Sequence, residues 1–315
     1  MFEKIIPVAL NPALDITLRV DGLYAEQINT VLDEETDAAG KATNVSKVLR
    51  RFGVDNTAII LAGRENADNY FRVLSSAPED ERIRWDTVYN PGLIRENLHI
   101  ILPDGSLVTV RREGFTAGRR ALDEVAALLE ERVNERTLVM LCGRLPNGIG
   151  SGDFRELCAL VHKKGGSIIV DSNSVTFEDI IAARPWLIKP NLEEFEQYTG
   201  KKYGSYEEMC AELARLNGAG VENVILSLGG DGLIWSRAGE RLKADVPEVR
   251  VLSPVGAGDS TLSGFIVGLQ RGMAPADCVR LAAAFGTAAV LLAGTKPPRR
   301  EDVEELFPRV TVRAI

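Results

Sequence analysis

Pro254-Val255-Gly256-Ala257-Gly258-Asp259-Ser260-Thr261 joins a glycine-rich turn to an apolar run, Leu262, Phe265, Ile266 and Leu269, whose spacing predicts a helix. Gly256 and Gly258 let the backbone turn sharply just before that helix begins. The N–H groups of Gly256, Ala257 and Gly258 are then left without helical partners, and they point with the positive end of the helix dipole at whatever lies in front. Asp259 sits in the same place, where the dipole is expected to hold it ionised and ready to take a proton from a hydroxyl. An anion hole beside a base is what phosphoryl transfer to an alcohol requires, because charge builds on the moving group while the hydroxyl loses its proton. The stretch does not read as a dinucleotide fingerprint, since Thr261 replaces the third glycine and the segment lies late in the chain. Taken alone, a G-x-G-D is also what a plainly capped helix looks like.

The chain has 315 residues, 45% of them apolar, which suffices for a sizeable core in one large α/β domain or two smaller ones. One domain over residues 1–315 with an appended small sheet is expected. The formal net charge of -8 argues against a general nucleic-acid or membrane-surface binder, so any anion site must be local. Cys142, Cys158, Cys210 and Cys278 lie far apart without a C-x-x-C pair, and His99 and His162 are isolated, which indicates neither a zinc site nor a disulfide framework. Buried free thiols in a reducing compartment are expected. Met1 to Leu10 lacks the basic start and apolar length of a signal peptide and reads as a first strand. The apolar run from Leu281 to Gly294 is too short to span a bilayer, and its Ala and Gly content suits a closely packed helix. A soluble, cytoplasmic protein is the expectation.

Outward from the central stretch, the chain alternates strands and helices. Ile5 to Leu10 is a buried strand stopped by Asn11-Pro12, Ala42 to Phe52 carries Val45, Val48, Leu49 and Phe52 at helical spacing, and Thr57 to Leu61 restores a strand. The rhythm resumes with helix Leu122 to Val133, strand Leu138 to Cys142, helix Phe154 to Lys164 and strand Ser167 to Asp171. Further strands are read at Trp186 to Lys189 and Val224 to Leu228, with helices between them and two more toward the C-terminus. This predicts a mostly parallel central sheet with helices on both faces and ligands at the carboxyl ends of its strands. Asn97 to Leu102 and Leu107 to Arg111 flank Pro103-Asp104-Gly105-Ser106 and read as an antiparallel hairpin outside the rhythm. With Asp15 to Val20 and Val31 to Asp37 it is expected to form a small separate sheet, inserted around 15–37 and 97–111.

Several motifs fall at strand ends. In Lys189-Pro190-Asn191-Leu192-Glu193-Glu194 proline forces the chain out of the strand, and Asn191 and Glu194 face the same way on the helix behind. An amide and a carboxylate at that spacing suit the hydration shell of a magnesium ion, and equally suit a capping box. Ser227-Leu228-Gly229-Gly230-Asp231-Gly232 follows a buried strand and reads either as a glycine-rich hairpin or as a loop shaped for a ligand. For Gly286, in an Ala-rich helix, packing is the plain reading, and for Arg95, beside the hairpin, a solvated surface charge.

Taken together these segments resemble the PfkB family of carbohydrate kinases, with the ribokinase-like α/β fold. The likeness rests on G-A-G-D at Gly256 to Asp259, Asn11-Pro12-Ala13-Leu14-Asp15 (N-P-x-x-D), Gly40-Lys41-Ala42-Thr43-Asn44 (G-K-x-x-N), Arg95-Glu96-Asn97 (R-x-N) and the lysine-led K-P-N-x-x-E at Lys189 to Glu194. The series is that of the family's hexose-phosphate branch and runs in the family's order from Asn11 to Gly286. The resemblance implies an ATP-dependent kinase acting on a phosphorylated ketohexose, with Asp259 as base and the Gly256, Ala257 and Gly258 amides around the transferring group. It implies sugar contacts from Asp15, Gly40, Lys41, Asn44, Arg95 and Asn97, with arginine pairing the phosphate already on the sugar. It implies nucleotide contacts from Lys189, Asn191, Ser227, Gly229, Gly232 and Gly286, and Mg2+ held at Glu194 and Asn191 through water. The small sheet is then a lid, and a homodimer formed through it is expected.

Three positions depart from the pattern. Ala39 and Ala42 stand where glycine is usual, and a left-handed backbone at either would cost on the order of 1–2 kcal/mol. Arg144, in Gly143-Arg144-Leu145-Pro146-Asn147-Gly148, replaces a small hydroxyl residue at the pocket wall and is either a further phosphate partner or a filler of the sugar's space. A kinase of an unphosphorylated sugar or nucleoside, and a non-catalytic sugar-phosphate or nucleotide sensor, are the competing expectations.

Overall fold

The computed structural model describes residues 1–292 and 294–315. Strand β1 (Lys4–Ala9) ends at Asn11-Pro12, where the chain leaves the core as β2 (Ala13–Val20) and returns along β3 (Val31–Ala39). Helix α1 (Lys41–Arg51), β4 (Thr57–Gly63), α2 (Ala67–Ser75) and β5 (Arg84–Asn90) follow, and then the hairpin β6 (Arg95–Ile101) and β7 (Leu107–Arg112). The middle of the chain alternates α3 (Arg119–Arg132), β8 (Thr137–Cys142), α4 (Ser151–Lys163), β9 (Ser167–Asp171), α5 (Phe177–Ala182), β10 (Leu187–Ile188), α6 (Leu192–Thr199), α7 (Tyr206–Gly218) and β11 (Asn223–Ser227). Strands β12 (Leu233–Arg237) and β13 (Glu240–Asp245), helices α8 (Ala257–Gln270), α9 (Pro275–Ala289) and α10 (Arg300–Leu306), and β14 (Thr311–Ala314) complete it.

The central sheet has ten strands in the order β14-β13-β12-β11-β10-β9-β8-β1-β4-β5. From β11 to β5 all pairings are parallel, and β12, β13 and β14 extend the sheet antiparallel. Strands covered on both faces become unbroken apolar runs, as in Leu138 to Leu141, all at most 4% exposed. On one face the core is Val45, Val48 and Leu49 of α1 with Leu262, Phe265 and Ile266 of α8, and on the other Leu122, Val125 and Leu129 of α3 with Phe154 and Val161 of α4. This is the mostly parallel sheet between helices that the sequence pattern predicts, and the ribokinase-like architecture that the resemblance implies. The differences lie at the margins. Three helices rather than two follow the last parallel strand, and the expected strand at Trp186 to Lys189 shrinks to two residues because Pro190 turns the chain away. Strands β13, Glu-Arg-Leu-Lys-Ala-Asp, and β14 and β5 near the sheet margins carry charged residues in place of an apolar run, so periodicity does not announce them.

The small sheet is separate, in the order β3-β2-β6-β7. Strand β2 pairs β3 antiparallel and β6 parallel, and β6 pairs β7 across the expected hairpin, where Ser106 N–H donates to Asp104 at 2.9 Å and Gly105 takes φ +83°. Alternation then sorts its side chains. Asp15, Asn97 and Arg111 share one face, and Ile16, Leu18, Leu98, Ile100, Val108 and Val110 share the other.

Candidate active site

Helix α8 opens at Gly256, whose backbone is left-handed (φ 80°, ψ -8°). Ala257 N–H makes only a long 3.4 Å contact to Pro254 O, and no partner satisfies Gly256 or Gly258 N–H among the described residues, so the turn presents free donors. Gly258 is already helical. Glycine suits that position for another reason, since a Cβ would stand 2.9 Å from the Lys189 ammonium and push that side chain aside.

Asp259 is buried at the head of this helix, 6% exposed. The expectation that the dipole fixes its charge needs correction. Burial pushes its carboxyl up to about 6, Lys41 opposes that shift, and the Asp171 charge adds to it. The group is thus ionised at neutral pH but basic enough to accept a proton. Asn44 Nδ2 donates to Asp259 Oδ2 at 2.8 Å, while Asn44 Oδ1 is buried without a partner. Asn44, expected as a sugar contact, therefore fixes the Asp259 carboxylate and keeps one acceptor free.

Behind the base stands a residue that motif reading missed. Asp171 ends β9, 4% exposed, and is shared by two lysines, with Lys41 Nζ 2.8 Å from Oδ1 and Lys189 Nζ 3.6 Å from Oδ2. Burial alone would raise the Asp171 carboxyl, but Lys189 and Lys41 outweigh it and hold it below the usual carboxylate range. Burial likewise works against the Lys41 ammonium, yet Asp171 and Asp259 raise it above its ordinary value. A carboxylate at the carboxyl end of a parallel strand was the available signal, but the sequence does not give the strand order that puts it between Lys41 and Lys189. Asp171→Asn strands two cations, one of them fully buried, and is expected to cost about 3–5 kcal/mol, read as a fall in unfolding midpoint.

The lid supplies the opposite wall. Asp15 and Asn97 are register partners on β2 and β6, and Asn97 Nδ2 donates to Asp15 Oδ1 at 2.6 Å. Arg95 is held by Asn11 O at 3.3 Å and Asn97 Oδ1 at 3.4 Å. Arg111 and Arg144 line the same pocket, with Glu113 as the one acid of its lining and Arg112, the fourth arginine there, already paired with Glu96. Burial weakens the Arg95 cation, Asp15 supports it, and the like charges of Arg111 and Arg144 weaken it further. Three guanidiniums around a space with one carboxylate make a site for a doubly charged oxyanion. Arg111 was also missed. Counting outward from the hairpin turn, where Leu102 pairs Ser106, places it opposite Asn97. Gly40 caps α1 at φ 112°, and a Cβ there would lie 3.2 Å from Pro12 Cα. Ala39 is in a strand and Ala42 in a helix, neither left-handed, so the feared backbone cost does not arise.

On the far side of the turn, Ser227 ends β11 and its N–H donates to Pro190 O at 3.0 Å, which brings the Lys189 to Glu194 segment beside the glycine-rich loop. Gly229 and Gly232 are both left-handed, and a Cβ on Gly232 would fall 2.1 Å from Ala244 O. The loop is therefore a tight hairpin connection lying in front of the site. Asn191 and Glu194 form the capping box: Glu194 N–H donates to Asn191 Oδ1 at 2.8 Å and Asn191 N–H to Glu194 Oε2 at 3.0 Å. Among the described residues no group of three His, Cys, Asp or Glu is placed to hold a metal ion. The apolar side chains Val251, Leu252 and Val255 are exposed just ahead of the turn, a shelf that sequence reading passed over.

Gly286 packs where α9 crosses α8, and a Cβ there would stand 2.3 Å from Thr261 Oγ1, itself bonded to Ala257 O. Gly286→Ala is expected to lower stability by about 1–3 kcal/mol by overpacking. Thermal unfolding beside the KM for ATP separates packing from nucleotide contact, with the first moving and the second unchanged if packing is the whole role.

The family description "pfkB family carbohydrate kinase" matches residues 9–302. A protein named 1-phosphofructokinase from Rhodobacter capsulatus is 33% identical over 100% of this chain and 99% of its own length. A tagatose-6-phosphate kinase from Staphylococcus epidermidis is 26% identical, over 98% of this chain and 99% of its own. Phosphofructokinase-2 from Escherichia coli, solved in complex with substrates and products, superposes with a TM-score of 0.88 at 23% identity, covering 97% of this chain and 99% of that one. With the free-donor turn, the buried Asp259 and the small sheet in place, these matches establish that the chain belongs to the pfkB family of carbohydrate kinases.

Proposed function

We propose that this protein transfers the γ-phosphoryl group of ATP to a hydroxyl of a ketohexose monophosphate, such as fructose 1-phosphate, fructose 6-phosphate or tagatose 6-phosphate. The observation that carries the reading is the pocket of Arg95, Arg111 and Arg144 beside Asp15 and Asn97, because a neutral sugar gives three guanidiniums nothing to neutralise. The names of the relatives point to the same substrate class.

In this reading the sugar hydroxyl lies against Asp259, which takes its proton as the oxygen attacks the γ-phosphorus. Asn44 fixes the carboxylate's orientation, and its free Oδ1 accepts from a neighbouring hydroxyl. The Gly256, Ala257 and Gly258 N–H groups meet the charge that develops on the transferring group, and Lys41 and Lys189 add positive charge behind it. The nucleotide lies along Ser227, Gly229 and Gly232, with its base on the exposed Val251, Leu252 and Val255. Glu194 and Asp171 would hold a magnesium ion through water, which suits an ion that keeps most of its hydration, and the ion would supply positive charge against that of the phosphates.

The lid closes over the sugar and excludes water, which would otherwise accept the phosphoryl group. Its outer apolar face, Leu18, Leu98, Ile100, Val108 and Val110, is only partly covered, and we assign it to a homodimer formed lid to lid. Four free cysteines and no helix long and apolar enough to cross a membrane, among the described residues, fit a cytoplasmic enzyme. The test is magnesium-dependent ADP release with ketohexose monophosphates, free hexoses, ribose and nucleosides. Turnover confined to a ketohexose phosphate supports the reading. Turnover only with an unphosphorylated acceptor overturns it, and ligand-dependent stabilisation without any turnover makes the protein a sensor.

A further inference from the structure

Outside the active site the described residues form a large cleft, about 460 Å³, of the size that takes a small ligand. It lies beside the lid hinge, between the edge strand β3, the second half of α1, the end of α2 and Leu292, Lys296, Pro297 and Arg299. Its walls carry Lys47, Arg51, Lys296 and Arg299 against Glu35, Asp37 and Glu81. Arg51 is paired with Glu81 and, at 3.6 Å, with Asp80, and Lys296 with Glu35, while Asp37 supports the Lys47 charge without an ion pair among the described residues. Arg299 has no acidic partner among the described residues. Glu35 and Glu81 are thus matched while Arg299 keeps its donors, so the cleft has capacity left for an acceptor.

Lys47 makes the cleft a built feature and not a chance furrow. It is 8% exposed, and its ammonium donates to Ala38 O at 2.6 Å, tying α1 to the last turn of the lid strand one residue from Asp37. Burial weakens the Lys47 ammonium while Asp37, Glu81 and Asp15 support it, and burial raises the Asp37 and Glu81 carboxyls, a set of displaced titrations apart from the chemistry. Two contacts carry the cleft to the active site. Asp37 is the register partner of Asp15 across β2 and β3. Residues 295 and 296 bridge lid and catalytic turn, because Lys296 Nζ pairs with Glu35 at 2.7 Å and Thr295 Cα lies 3.4 Å from where a Cβ on Gly256 would be.

We infer that this cleft binds a small phosphate- or carboxylate-bearing anion, gripped by Arg299 with Lys47, Arg51 and Lys296, and that its occupancy biases how the lid closes over the sugar. An anion there competes with Glu35 for Lys296 and with Ala38 O for Lys47, two links between β3 and the body. The binding claim is independent of the proposed reaction, whereas the effect on the lid rests on it.

The test begins with calorimetric titration of inorganic phosphate into Arg95→Met protein, whose sugar-phosphate pocket is weakened. One phosphate site per chain that depends on Arg299 is expected, weakened at least tenfold in Arg95→Met with Arg299→Ala and partly restored with Arg299→Lys. No binding, or equal binding with Arg299→Ala, overturns the site whether or not the protein proves to be a kinase. In protein that keeps Arg95, phosphate should shift the KM for the sugar phosphate more than twofold further in wild type than in Arg299→Ala, whose KM without phosphate matches wild type. An equal shift in both means that phosphate acts only at the active site and overturns the coupling to the lid.

Discussion

Replacing Asp259 by Asn lowers kcat by roughly 10²- to 10⁴-fold, the span expected when a general base is removed, and leaves both KM values near those of wild type. Because burial pushes the Asp259 carboxyl up to about 6, kcat/KM of wild type falls tenfold per pH unit below about pH 6. The same shift predicts a change in stability of opposite sign. The folded protein holds the Asp259 proton more tightly than the unfolded chain does, so wild type loses stability as pH rises from about 4 to about 6. The amide of the Asp259→Asn variant does not titrate, so it has no such loss, and it still offers an oxygen to Asn44 Nδ2. The variant is therefore more stable than wild type by up to about 3 kcal/mol above pH 6, with the gap closing toward pH 4. Steady-state rates and urea midpoints across pH 4–8 check both halves. A variant that keeps full kcat removes Asp259 from the chemistry.

Replacing Arg95 by Met keeps the stem and removes the charge. The KM for the sugar phosphate is expected to rise roughly 10- to 100-fold, the loss of one or two charge-assisted hydrogen bonds at about 1.5–3 kcal/mol, with the KM for ATP unchanged. Arg111→Met should behave alike, since Arg111 faces the same space from β7. If both variants keep the wild-type KM, the guanidinium cluster is surface charge and an unphosphorylated acceptor becomes the better reading. Arg144 is exposed and has no acceptor among the described residues, so Arg144→Ser separates its two readings. A higher KM for phosphorylated sugars marks a phosphate partner, and a lower one marks a residue that crowds the pocket.

The parallel sheet, the hairpin and the catalytic turn were legible because each is local. Apolar runs such as Leu138 to Cys142, the Pro103 to Ser106 turn and the Gly256 to Asp259 segment carry their signal within a few residues. What could not be read is what depends on neighbours. Gly258 looks like a turn glycine and is instead kept small by Lys189, a contact spanning the sheet. Asn191 and Glu194 suited either a cap or a metal, and in the protein the cap takes one oxygen of each. Asp171 acquires its meaning only when β9 lies between β8 and β10, an order that no single segment encodes. Dipole reasoning overrated its hold on Asp259, because depth of burial cannot be judged from the turn alone.

The hydrogen bond between Asn44 and Asp259 joins residues 215 positions apart, and Gln270 at the end of α8 grips the backbone of Phe2 over 268. During synthesis, then, helix α1 emerges long before the helix it must pack against. Until α8 leaves the ribosome, Val45, Val48 and Leu49 have an uncovered flank, and Asn44 exists without Asp259. Such a nascent chain exposes sticky surface for most of its translation and gains activity only at the end. Chaperone dependence and sensitivity to C-terminal truncation should follow from that order of arrival.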